Sequence, residues 1–136
     1  MSWQIMKNKL VHVAVGAIFN QQGEILIAKR AAHKFQGNLW EFPGGKVEAG
    51  ETAEQALIRE LQEEVNLTPK SFTSLMQIEH DYGEKAFLLD VYLVKEFSGT
   101  LQALEQQEVK WVLPQAINEY SFPTANRAII DKLLAL

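Results

Sequence analysis

One stretch limits the folds open to this chain more than any other: a single short helix, marked at both ends, set between runs that read as strands. Thr52 stands three residues before Gln55, the spacing of a reciprocal N-terminal cap, and Ala53, Ala56, Leu57, Leu61 and Val65 recur behind it at helical intervals. Asn66 follows where a left-handed terminating residue is needed, and asparagine is second only to glycine there. The spacing predicts a helix from Ala53 to Val65.

Around it the pattern is that of strands. Val11 to Phe19 is rich in β-branched residues and ends at the turn signal Asn20-Gln21-Gln22-Gly23, after which Glu24 to Lys29 resumes, so two strands joined by a hairpin are expected. Leu39 to Phe42 reads as a short strand that breaks into a loop at Pro43-Gly44-Gly45, where proline removes a ladder donor and glycine permits unusual backbone geometry. Further strands are expected at Phe72 to Glu79, Lys85 to Phe97 and Val109 to Leu113, joining the first ones in a mixed sheet. Pro123 reads as the first turn of a last helix that covers the sheet with Ile129, Ile130, Leu133 and Leu134. The order of elements implies a layered α/β or α+β sandwich.

With 136 residues the chain is long enough for one buried core and short for two, so a single domain spanning residues 1–136 is expected. There are no cysteines, which excludes disulfides, thiolate nucleophiles and cysteine-held zinc, and leaves oxygen or imidazole to bind any metal. The net charge of -4 argues against a surface that coats nucleic acid. Small phosphorylated ligands stay open, because a metal ion can supply the positive charge. Met1 to Lys7 has no secretory pattern and no run reaches membrane-spanning length, so a cytoplasmic protein without a membrane partner is expected.

Chemistry concentrates on the predicted helix. At 100° per residue Glu60, Glu63 and Glu64 share one side, within an arc of about 100°. Like charges at this spacing cost an isolated helix roughly 0.2–0.5 kcal/mol per pair, so something positive is expected among them. Arg59 could balance a solvated acidic face; alternatively, backbone carbonyls from the Pro43-Gly44-Gly45 loop could join the carboxylates around a cation. All-oxygen coordination suits magnesium or manganese.

From Gly45 to Leu67 the chain reads GKVEAGETAEQALIRELQEEVNL, which resembles the signature box of the Nudix family. Gly45, Glu51, Arg59, Glu60, Leu61, Glu63, Glu64 and Leu67 fill its places; Asn66 departs, standing where the family has glycine. The resemblance implies the Nudix α/β/α sandwich, a central mixed sheet flanked by helices, and metal-dependent hydrolysis of a nucleoside diphosphate linked to another group. It also implies that Glu60, Glu63, Glu64 and the Gly44 carbonyl hold Mg2+, with Mn2+ as a substitute, while Arg59 orients a box glutamate.

Outside the box, Trp40 to Lys46 and Phe122 to Asn126 are similar to the MutT group of that family, whose members hydrolyse 8-oxo-dGTP and keep a mutagenic nucleotide out of the pool. For this chain the resemblance implies attack of water on the β-phosphorus, release of a nucleoside monophosphate and pyrophosphate, and a further metal-binding glutamate. Glu105 occupies the matching position, with Glu108 as a nearby alternative. Similar proteins hydrolyse CTP-like substrates, and Gly99 to Ala103 resembles those too. A nucleotide-binding module without turnover is a third reading, disfavoured because a pure binder gains little from three crowded glutamates.

The choice of base rests on Asn126. Guanine presents two acceptors at O6 and N7, whereas its 8-oxo form carries hydrogen on N7, so the edge becomes acceptor and donor. A carboxamide pairs with the second pattern and clashes with the first. Without the resemblance Asn126 reads as a capping or surface residue at the start of the last helix. Val11, Val13 and Phe42 serve either as an apolar base pocket or as plain core, and Arg30 and Lys46 either contact phosphates or are simply exposed. His12, His33 and His80 match no ligand spacing. A monomer acting on a small nucleotide, without nucleic acid, is the expected working unit.

Overall fold

The computed structural model describes residues 10–34 and 37–136; Met1 to Lys7 lies outside them. Among the described residues seven strands and two α-helices form: β1 (Leu10–Ile18), β2 (Ile25–Lys29), β3 (Trp40–Glu41), β4 (Gly44–Lys46), α1 (Ala53–Val65), β5 (Thr68–Asp81), β6 (Ala86–Ser98), β7 (Val109–Val112) and α2 (Arg127–Leu134). Single 3-10 turns at Pro114–Glu119 and Thr124–Asn126 lead into α2.

α1 has the bounds its caps predict. The Thr52 hydroxyl accepts the Gln55 amide at 3.1 Å, and the Gln55 side chain accepts the Thr52 amide at 2.9 Å. Asn66 ends the helix at φ 63°, and its side-chain amide donates to the Thr100 carbonyl at 2.9 Å. The asparagine that replaces the family's glycine thus fills the left-handed position and adds a tether.

The strands divide into two sheets. The larger is mixed, in the order β4-β1-β6-β5, with β1 parallel to β6 and antiparallel to β4; the smaller, β3-β2-β7, is antiparallel. The expected hairpin between the first two strands does not form as a sheet pair. A lone bridge from Phe19 to Ile25 joins them before they enter different sheets. Ile25 to Ala28 is buried on both faces, so β2 needs packed layers on each side and a single hairpin partner cannot supply them. The Pro43-Gly44-Gly45 segment also differs from expectation: Gly44 to Lys46 is a strand paired with Val13 to Val15. The last helix begins at Arg127, later than expected, since Pro123 introduces the Thr124–Asn126 turn ahead of it.

Two apolar layers hold these parts. One lies between the sheets and α2, with Val15, Ile27, Phe42, Val91 and Ile129; the other lies under α1, with Ala14, Ile18, Leu57, Leu61 and Val94. Alternate residues of β1 enter opposite layers, as a period of two requires. The helix that carries the glutamates is therefore fixed against β1 and β4.

Candidate active site

The helix approaches the glycines closely. A Cβ on Gly45 would overlap the Glu60 carboxylate, and one on Gly44 would overlap the Ala14 carbonyl. Only glycine at both positions lets β4 pair with β1 while the carboxylates of α1 lie against its backbone. The Gly44 amide donates to Glu64 Oε2 at 3.2 Å.

The three helix glutamates do not share one environment. Glu64 is 7% exposed, and burial together with the charges of Glu41 and Glu105 pushes its carboxyl up to about 8. Burial also raises Glu60, against the pull of Arg59. Glu63, with 55% of its side chain exposed, faces Arg59 at 3.4 Å. One side of the helix is thus split by depth: Glu60 and Glu64 line a cleft, and Glu63, which does not line it, is exposed beside Arg59.

Arg59 lies beside the helix glutamates and binds Glu51 most closely. Its Nε and Nη2 form a fork on Glu51 at 2.7 and 3.0 Å, Nη2 also donates to the Lys46 carbonyl at 3.0 Å, and Nη1 lies 3.5 Å from Glu60. The guanidinium ties the end of β4 to the acidic helix and orients Glu51 first. This fork, with the Glu48 amide, holds the Glu51 carboxyl down at about 2. Its stabilising contribution is complete above the ordinary carboxylate range near 4.5 and disappears as pH falls from there through about 2. Wild-type melting temperature is expected to drop across that window more steeply than that of Glu51→Gln; parallel thermal melts from pH 6 to 2 check this, and superimposable slopes would count against the fork.

The loop after β6 completes the site through the end of α1. Glu64 O accepts the Leu104 amide at 3.1 Å and the Gln107 side chain at 3.0 Å, and Val65 O accepts the Gln102 amide at 3.1 Å. These donors satisfy carbonyls that a helix end leaves unpaired, and they bring Glu105 to the same cleft as Gly44, Glu60 and Glu64. Glu108 does not line that cleft, and its carboxylate is 3.9 Å from Lys110.

Sequence reasoning missed Glu41. It enters the cleft from β3, its carboxyl raised by burial, and pairs with Arg30 at 2.9 Å. Arg30, expected as a phosphate contact, is thus also a counter-ion. The signal for Glu41 was its place in Trp40-Glu41-Phe42-Pro43, adjoining the glycines. His12 contacts Asp90, which Gln77 also holds, across β1, β6 and β5; this group lies outside the cleft.

The other end of the cleft, about 810 Å³ in all, is apolar. Val11 and Val13 of β1, Phe87 and Leu89 of β6, and Phe42 line it, with Phe122 tilted on Phe42 at 5.2 Å between ring centres. Asn126 borders it at the start of α2, yet its side chain makes no capping bond. Lys46 lines the cleft from β4.

Among the described residues no three carboxylates or imidazoles are arranged to close around an ion, since Glu60 and Glu63 both face Arg59 within 3.5 Å. The donor set nevertheless fits a divalent cation. Glu41, Glu60, Glu64 and Glu105 crowd negative charge into one cleft, and among the described residues only the Gly44 amide hydrogen-bonds the buried Glu64 carboxyl.

A glutamate-bearing helix braced against a glycine strand, over a mixed sheet, defines the class, and the NUDIX domain family model matches residues 14–132. The chain belongs to that family. It is 41% identical to the 8-oxo-dGTP diphosphatase of Escherichia coli (strain K12), over 94% of this chain and 99% of that protein. It is 36% identical to the CTP pyrophosphohydrolase of the same strain, over 94% of each chain. A solved structure from work on MutT of Aliivibrio salmonicida and Vibrio cholerae superposes with a TM-score of 0.84 at 41% identity, covering 93% of this chain and 98% of that one.

Proposed function

We propose that this chain hydrolyses 8-oxo-dGTP to 8-oxo-dGMP and pyrophosphate in the cytoplasm, using Mg2+, and so removes an oxidised nucleotide before it reaches DNA. The observation that carries the reading is one cleft with acidic groups at one end and an uncapped asparagine above an apolar floor at the other. Similarity to 8-oxo-dGTP diphosphatases across nearly the whole chain supports it.

Glu60, Glu63, Glu64, Glu105 and the Gly44 carbonyl would hold the cations, Glu63 by turning from Arg59. Bound there, divalent ions supply charge neutralisation of the polyphosphate and a more acidic water. Oxygen from water bonds to the β-phosphorus, the bond from that phosphorus to the α–β bridging oxygen breaks, and the bridging oxygen leaves with the monophosphate. Arg59 keeps β4 and the helix in register, and the apolar floor of Val11, Val13 and Phe42 excludes water from the base. Asn126 offers one donor and one acceptor to the oxidised edge. Arg30 and Lys46 face the phosphates.

A second reading, CTP or its methylated forms, is favoured by the 36% identity to a CTP pyrophosphohydrolase. Steady-state assays with 8-oxo-dGTP, dGTP and CTP decide between them. The specificity constant for 8-oxo-dGTP is expected to exceed that for dGTP by well over about tenfold, because a mispaired buried edge is strongly rejected. Equal constants for the two guanine nucleotides reject the proposal, and a preference for CTP installs the second reading.

A further inference from the structure

A second cavity of about 290 Å³ opens beside the main cleft, between residues 29–34 and 105–108. The two share Arg30, Lys34, Glu41, Glu64 and Glu105, and none of the base-end residues Val11, Val13, Phe42 or Asn126 reaches the smaller one. It therefore adjoins the acidic centre and not the base end. Phosphates running from the apolar end across α1 would extend toward it.

The cations of this pocket differ in what already holds them. Lys29 lies 5.9 Å from the centre of the Trp40 ring, and Arg30 is engaged with Glu41. Lys34 borders both cavities and is exposed; its charge acts on Glu41 through space, and among the described residues no hydrogen bond or ion pair holds its ammonium. Its backbone is set by two turns, the Lys34 amide donating to Ala31 O at 3.1 Å and the Gly37 amide to Lys34 O at 2.9 Å. A long flexible side chain whose charge no direct contact fixes, anchored at the mouth between two cavities, suits an anion that must pass from one to the other.

Building on the reading above, we propose that this pocket receives the terminal phosphates of the substrate, with Lys34 as their cationic contact, so that the chain selects triphosphates over diphosphates. Glu105 and Glu108 in the same wall repel an unaccompanied anion, which makes a lysine at this mouth consequential.

The test uses the full chain at fixed excess magnesium, comparing wild type with Lys34→Ala and Lys34→Arg. The readouts are the specificity constants for 8-oxo-dGTP and 8-oxo-dGDP and the inhibition constants of inorganic pyrophosphate and 8-oxo-dGMP. Lys34→Ala is expected to lower the triphosphate-to-diphosphate ratio and to weaken pyrophosphate inhibition by about fivefold to tenfold each, the scale of one charge-assisted contact. Inhibition by 8-oxo-dGMP should stay within about twofold, and Lys34→Arg should restore most of the loss. Unchanged pyrophosphate inhibition, or equal weakening of both products, overturns the subsite. Should the wild type prefer another triphosphate, the base assignment falls, while the same comparison with that triphosphate and its diphosphate still decides the role of Lys34.

Discussion

Glu64→Gln is expected to make the protein more stable and inactive at once. Without divalent metal, burial of the Glu64 carboxyl among Glu41 and Glu105 raises its proton affinity from the ordinary 4.5 to about 8. A carboxyl raised on folding destabilises the native state as pH climbs from about 4.5 through about 8, because the unfolded chain releases its proton first. At pH 7 the penalty is of order 3 kcal/mol, which glutamine avoids while keeping the shape. In EDTA at pH 7 the variant should therefore melt several degrees higher than wild type, about 2–4 °C per kcal/mol for a chain of this size, and the gain should fade below pH 4.5. Excess magnesium should raise the wild-type melting temperature more than that of the variant. Turnover should fall more than about a hundredfold, the loss of several kcal/mol of charge stabilisation. A variant that melts below wild type in EDTA, or one that keeps wild-type turnover, contradicts this account of Glu64.

Asn126→Ala carries the other large effect, and it falls on choice more than on speed. The Asn126 side chain borders the base end without capping α2, so its removal leaves the helix start intact. A site built to pair with a polar edge discriminates by powers of ten, and deleting the reader abolishes most of that. The ratio of specificity constants for 8-oxo-dGTP over dGTP should drop about tenfold to a hundredfold, with turnover of dGTP within about threefold of wild type. Asn126→Asp, which offers acceptors only, should instead move preference toward nucleotides presenting an amino group. An unaltered ratio in Asn126→Ala would assign base selection to other groups.

Both experiments target residues legible in the sequence, yet their environments were not. Glu60, Glu63 and Glu64 are equivalent by helical spacing; the fold buries Glu64 and leaves Glu63 exposed beside Arg59. The reason is the docking of α1 on β1 and β4, set by Ala56, Leu57, Leu61 and Val65, which tilts one part of the acidic arc inward. Glu41 carried no periodic signal, and only the pairing of β3 with β2 brings it beside Arg30 and near Glu64. The tether of Glu105 to the end of α1 depends on backbone donors at Gln102 and Leu104, which side-chain chemistry cannot announce.

The capped helix from Ala53 to Val65, its asparagine terminator and the presence of strands around it were determined by the sequence alone, because each depends on groups a few residues apart. The tertiary structure decided which strands share a sheet, why β1 and β2 part company, and which carboxylates lose water. Those outcomes depend on pairing and burial between segments far apart along the chain, where many partners satisfy the same local pattern and only the packed whole selects among them.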